Sequence, residues 1–96
     1  MEISKSDIII SIAGRDEGKL FYVIDVDGDY VLIANGRERK LENPKRKKLK
    51  HVRRVSRTET RVAQKLLEGD KVLNSELRRD LAKFSQDFNS QNQGGI

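Results

Sequence analysis

Cysteine is absent, which excludes disulfides, zinc knuckles and thiolate nucleophiles together. A single histidine, His51, cannot build a zinc site by itself. There is no tryptophan, and two tyrosines and three phenylalanines leave few rings to spare beyond those a core would take. No stretch approaches the roughly 20 apolar residues that span a bilayer. The opening Met1-Glu2-Ile3-Ser4-Lys5-Ser6-Asp7 lacks the charged-then-apolar layout of a signal peptide. A soluble, cytoplasmic protein is therefore expected. With 96 residues there is room for one small domain, and a chain of this size buries only about 60% of its unfolded surface. A deep, sealed active site is not expected, and no cofactor is.

Charge is present and sorted along the chain. Residues 1–36 carry three basic and seven acidic side chains, residues 37–57 eleven and two, and residues 58–96 six of each. The surplus behind the formal net charge of +5 thus sits in one short segment. That concentration creates a local positive potential suited to phosphates.

Ile8-Ile9-Ile10-Ser11-Ile12-Ala13 is β-branched and runs into Gly14, which predicts a strand and a turn. Leu20 to Val26 is a second run of β-formers. Asp27-Gly28 then offers a two-residue turn, and Asp29 to Ala34 returns antiparallel. Asn35-Gly36 repeats that chemistry, so Arg37 to Leu41 is expected to fold back as another short strand. Past Pro44, only Leu49, Val52 and Val55 are available to anchor a last strand. Five short strands with tight turns imply a small barrel over residues 1–57. The period then changes to helical: Val62, Ala63, Leu66 and Leu67 mark a helix near 58–68, with Ser56 and Glu59 as a capping box and Gly69 as its stop. Asn74 or Ser75 would cap a second helix with Leu77, Leu81, Phe84 and Phe88 on one stripe. This two-helix extension is expected over 58–88, followed by a disordered Asn/Gln-rich tail over 89–96. The stripe is expected to pack on the barrel, or else to serve a partner protein or a second copy.

Ile10 to Lys19, with its Gly14-Arg15-Asp16-Glu17-Gly18-Lys19 turn, then Val23, Val26 and Gly28, resembles a KOW motif. The likeness continues through Gly36, Pro44-Lys45-Arg46-Lys47 and Lys50-His51, covering about Ile8 to Arg54. It is similar to the SH3-like barrel family of archaeal and eukaryotic large-subunit ribosomal proteins. The resemblance implies a mainly β fold, a five-stranded SH3-like barrel, and a bacterial ribosome-associated or RNA-binding accessory protein. It also implies that Arg15 and Lys19 sit in a turn held against RNA.

The expected contacts are then Arg15, Lys19, Arg37, Arg39, Lys40, Lys45, Arg46, Lys47, Lys48, Lys50, His51, Arg53 and Arg54, within a basic segment reaching Arg57. Cations at this density bind phosphates without reading sequence. The glycine turn imitates a phosphate-binding P-loop but has three residues between its glycines where four are needed, and Leu20 where Ser or Thr would hold magnesium. Asp25, Asp27 and Asp29 lack the rest of a calcium loop and fit hairpin chemistry with an acidic face that repels RNA. Phe21 is assigned to the core, with Tyr22 or Tyr30 as candidate stacking surfaces for bases. His51 has no identifiable carboxylate or serine partner for catalysis. The sequence therefore predicts a non-enzymatic binder of structured RNA, and the resemblance implies ribosomal RNA. A module recruiting transcription or translation machinery and a DNA or nucleoid binder are the alternatives.

Overall fold

A computed structural model of the chain describes residues 2–57 and 59–94, the last eight of these by their backbone alone. The strands are β1 (Ile8–Ser11), β2 (Leu20–Asp27), β3 (Tyr30–Ala34), β4 (Lys45–Lys48) and β5 (Val52–Ser56), followed by helices α1 (Arg61–Glu68) and α2 (Asn74–Gly94). They form one open antiparallel sheet in the order β4-β3-β2-β1-β5. Its two edge strands are joined directly by a single 3-10 turn, Leu49–His51.

The β2–β3 hairpin forms where expected but turns one residue later, over Gly28 and Asp29 with Asp27 facing Tyr30. Only Gly28 takes a positive φ, 59°, so a glycine leads the turn and both centres need not be left-handed. Asn35-Gly36 does not make a second hairpin, and Arg37 to Leu41 is not a strand. The buried Asn35 turns its side chain on the backbone instead: its Oδ1 accepts from the Arg37 and Arg39 amides at 2.9 and 3.1 Å. The Arg39 carbonyl in turn accepts from the Asn35 and Gly36 amides. Those groups are then unavailable to a sheet ladder. The strand that pairs with β3 comes only after Pro44.

Strand alternation sends side chains to two faces, and both are buried. Ile9, Phe21, Val23, Val31, Ile33 and Val52 form one core. The row Ile8–Tyr22–Ala34, aligned by register across β1, β2 and β3, faces the helices and packs with Val62, Ala63, Leu66, Leu77 and Leu81. The helices are therefore a layer of the same fold. Leu77 and Leu81 are spent in that layer and Phe84 packs against it. The side chain of Phe88, the last member of the stripe, lies outside the described residues.

Helix α1 starts later than expected, because Thr60 is its cap and accepts from the Ala63 amide, while Ser56 remains in β5. Gly69 ends it at φ 76°. At the head of α2, Glu76 reaches back to the Leu73 amide, which is half of a capping box. Asn74 does something else with its side chain: Oδ1 accepts from the Leu41 amide at 2.8 Å and Nδ2 donates to Glu42. The backbone of α2 continues to Gly94, past the expected end at Phe88. Asn, Ser and Gln cost a helix only a few tenths of a kcal/mol each, and no glycine or proline interrupts before 94. Gly95 and Ile96 of the expected tail lie outside the described residues. No helix among the described residues is long and apolar enough to cross a membrane.

Gly36 is where loop and helix meet. Its φ is 78°, its carbonyl accepts from Arg78 at 2.7 Å, and a methyl group there would run into the Asn74 carbonyl. Gly36→Ala is expected to cost about 1–2 kcal/mol from the left-handed backbone alone, and more from the clash. A urea denaturation midpoint equal to wild type would contradict this account of the junction.

Candidate nucleic-acid interface

The Gly14–Lys19 turn is built around an inward-facing carboxylate. Gly14 and Gly18 take φ of 84° and 87°, and the turn closes through Gly18 N to Ser11 O at 2.8 Å and Ser11 N to Lys19 O at 3.0 Å. This curls Asp16 back so that it is buried, where it accepts hydrogen bonds from Ser11 Oγ at 2.8 Å, Lys47 Nζ at 2.6 Å and Lys45 Nζ at 2.9 Å. Lys47 Nζ also donates to the Ala13 carbonyl at 2.6 Å. The reason lies in the register of β4. Lys45 and Lys47 stand opposite Ile33 and Val31, on the inner face, and their stems run through the core edge to the turn.

Lys47 is thus removed from the expected interface: its side chain is 6% exposed and its charge is spent on Asp16. Lys45 is half-buried in the same cluster. Burial by itself would raise the Asp16 carboxyl. The hydrogen bonds from Lys47, Lys45 and Ser11, with the Lys47 charge, more than offset it and hold the group well below the usual carboxylate range. The unfolded chain takes up this proton first, so the contribution to stability is complete above about pH 5 and fades as pH falls toward the folded value. Urea midpoints should fall between about pH 5 and about pH 2, and Asp16→Asn should lose that part of the acid dependence. An unchanged acid slope in Asp16→Asn would remove Asp16 as its source.

Arg46 and Lys48 alternate outward, opposite Leu32 and Tyr30. The Arg46 guanidinium lies over the Tyr30 ring, 3.9 Å from its centroid. Its approach to Asp27 is 3.7 Å between groups that are 58% and 73% exposed, a contact of little energetic weight in water. Lys48 and Lys50 are exposed beside a cavity of about 410 Å³ lined by Asp29, Tyr30, Lys48, Leu49 and Lys50. Leu49 also lines a second cavity, about 450 Å³, with Ile3, Ile12, Val26, Val52, Arg53 and Arg54. His51 is half-buried in the 3-10 turn between them.

A second basic group surrounds the glycine turn and the loop after β3. Arg15, Lys19 and Arg39 line a cavity of about 220 Å³ with Asp16, Phe21, Glu38 and Lys45. Lys19 pairs with Glu38 at 3.0 Å. That hydrogen bond, chiefly, holds the Glu38 carboxyl below its ordinary value, though both groups are half exposed and the pair adds little stability. Arg37 and Lys40 are exposed on the loop that α2 anchors.

The basic segment is accordingly divided by role. Lys45 and Lys47 secure the glycine turn. Arg54 donates to the Glu2 carbonyl at 3.2 Å, and Arg57 to that carbonyl and to the buried Asp7. Arg15, Arg37, Lys40, Lys48, Lys50 and Arg53 are exposed and have no acidic partner among the described residues. Half-buried Arg39 is likewise unpaired there.

Of the candidate stacking rings, Phe21 and Tyr22 are interior. The Tyr22 hydroxyl lies 3.1 Å from both Thr60 Oγ1 and Asp80 Oδ2. Burial pushes its phenol pKa up, opposed by Thr60 and reinforced by Asp80. Tyr30 is half-buried and reaches the surface. Among the described residues no group of three or more His, Asp or Glu is arranged to hold a metal ion. Sequence reasoning missed Asp16 and Ser11 as the anchor of the turn, because the pairing of Lys47 with Val31 is a register and leaves no local signal. It also missed Ile12 and Val26 as surface residues, 40% and 36% exposed, since they continue apolar strand runs. Compared with known proteins, the chain matches no family model and no curated sequence.

Proposed function

We propose that the chain is a non-enzymatic RNA-binding module of the KOW type, its sheet rolled as an SH3-like barrel, acting on the ribosome in the cytoplasm. The connection between the sheet edges supports the barrel. In a flat sheet of this order the edges would lie roughly 19 Å apart, at about 4.8 Å per strand. The chain from Lys48 to Val52 spans at most about 14 Å even when extended, and here it is a compact 3-10 turn.

The observation that carries the RNA reading is the set of exposed cations without acidic partners, Lys48, Lys50 and Arg53 above all. They sit on and beside the turn joining β4 to β5, and their side chains, unneutralised by the nearby Asp29 and Glu2, are left to engage a polyanion. Arg15, Arg37 and Lys40 offer a second contact. The mechanism is positional. Guanidinium and ammonium groups engage phosphates, and contacts to shape and 2′-hydroxyls supply preference, since the major groove of A-form RNA is too narrow to read.

Ultraviolet crosslinking in cells, with sequencing of the attached RNA, tests this directly. Ribosomal RNA should dominate, and the protein should co-sediment with ribosomal particles in a salt-dependent way. Recovery of DNA, or of a protein complex that survives nuclease and high salt, would overturn the proposal.

A further inference from the structure

The cavity beside the β4–β5 turn combines two cations with three features that phosphate binding alone does not require: a ring, an apolar side chain and a carboxylate. Tyr30 lines it, and the Arg46 guanidinium lies 3.9 Å over the ring of that residue, so an aromatic and a guanidinium plane are held together beside it. Leu49 supplies an apolar floor, with its amide committed to the Asp29 carbonyl at 2.8 Å. Lys48 and Lys50 stand at the rim, exposed and unpaired among the described residues. Asp29 lines the same space, and its carboxylate has no partner among the described residues.

Phosphate is a poor occupant for such a cavity, because the Asp29 charge would repel it from inside. A nucleobase is a good one. Its faces stack on an aromatic ring or an arginine plane, an apolar floor tolerates its edge, and a carboxylate accepts hydrogen bonds from an exocyclic amino group. The two lysines then lie where phosphates on either side of that base would run. A base held in a stacked duplex cannot enter, whereas a bulged or looped-out one can.

We propose that this cavity binds a single unpaired nucleotide of an RNA, stacking its base at Tyr30 and Arg46 and favouring, through Asp29, an amino-bearing base such as cytosine over uracil. The proposal rests on the RNA-binding reading above and specifies which part of an RNA is recognised.

The test uses the full chain and three short RNA stems of one sequence: fully paired, with one bulged cytosine, and with one bulged uracil. Affinities are read by fluorescence anisotropy at constant salt. The wild type should bind the cytosine bulge about tenfold more tightly than the paired stem. Tyr30→Leu, which keeps apolar bulk on the strand, should erase that margin while leaving the paired stem within about twofold, and Tyr30→Phe should retain it. Asp29→Asn should bring the two bulges to equal affinity. Equal binding of bulged and paired stems, or a bulge preference that survives Tyr30→Leu, overturns the cavity assignment and leaves RNA binding standing. A wild type indifferent between cytosine and uracil overturns the role of Asp29. If no stem binds even at low salt, the RNA-binding reading falls, and this inference with it.

Discussion

Lys47→Ala is expected to destabilise the protein by about 3–5 kcal/mol, the usual cost of removing one partner from a buried ion pair. The side chain is 6% exposed, its ammonium lies 2.6 Å from both Asp16 Oδ1 and the Ala13 carbonyl, and the carboxylate it would abandon is itself only 11% exposed. Lys45 would retain one bond to Asp16, which sets the loss below that of a fully orphaned charge. Lys47→Met keeps the stem in the core and should recover part of the deficit. Lys47→Met combined with Asp16→Ala should recover more, since the stranded charge is then gone. Lys48→Ala, one residue along and facing water, should change the unfolding free energy by no more than about 0.5 kcal/mol. Equal effects at 47 and 48 would refute the alternation of β4.

The second large effect concerns RNA. Lys48→Ala, Lys50→Ala and Arg53→Ala in one chain should lower RNA affinity by at least about tenfold at low salt and reduce the slope of log affinity against log salt by about 2 to 3. Stability should stay near wild type, because none of the three side chains has a hydrogen-bonding or acidic partner among the described residues. The parallel substitution of Arg15, Arg37 and Lys40 measures the other basic group on the same scale. A slope unchanged by the first set and reduced by the second would move the interface to the glycine turn. Slopes unchanged by both would leave the cations without a polyanion to bind. Lys47 must be kept in every such variant, since its removal would mimic lost binding by loosening the turn that carries Arg15.

Local chemistry was legible where a residue acts on its own neighbours. Gly28 produced a hairpin, Gly69 stopped α1, and the β-branched run at Ile8 made a strand. Asn35-Gly36 carried the same turn signal as Asp27-Gly28 and formed a different structure. Its side chain captured two amides, and α2 then pinned the loop through Asn74 and Arg78. Thr60 rather than Ser56 capped α1 because Ser56 was needed opposite Ile8 in the sheet. In each case a distant partner chose between local options of similar energy.

The sequence by itself determined a mainly β chain with two closing helices, a hairpin at Gly28, and a surplus of positive charge between residues 37 and 57. Those follow from backbone preference, side-chain period and composition, which are properties of short segments. Only the tertiary structure decided which cations face water. A strand's period of two allots alternate residues to opposite faces, but the register with β3 determines which face is inner. That register buried Lys47 on Asp16 and left Lys48 free beside Tyr30.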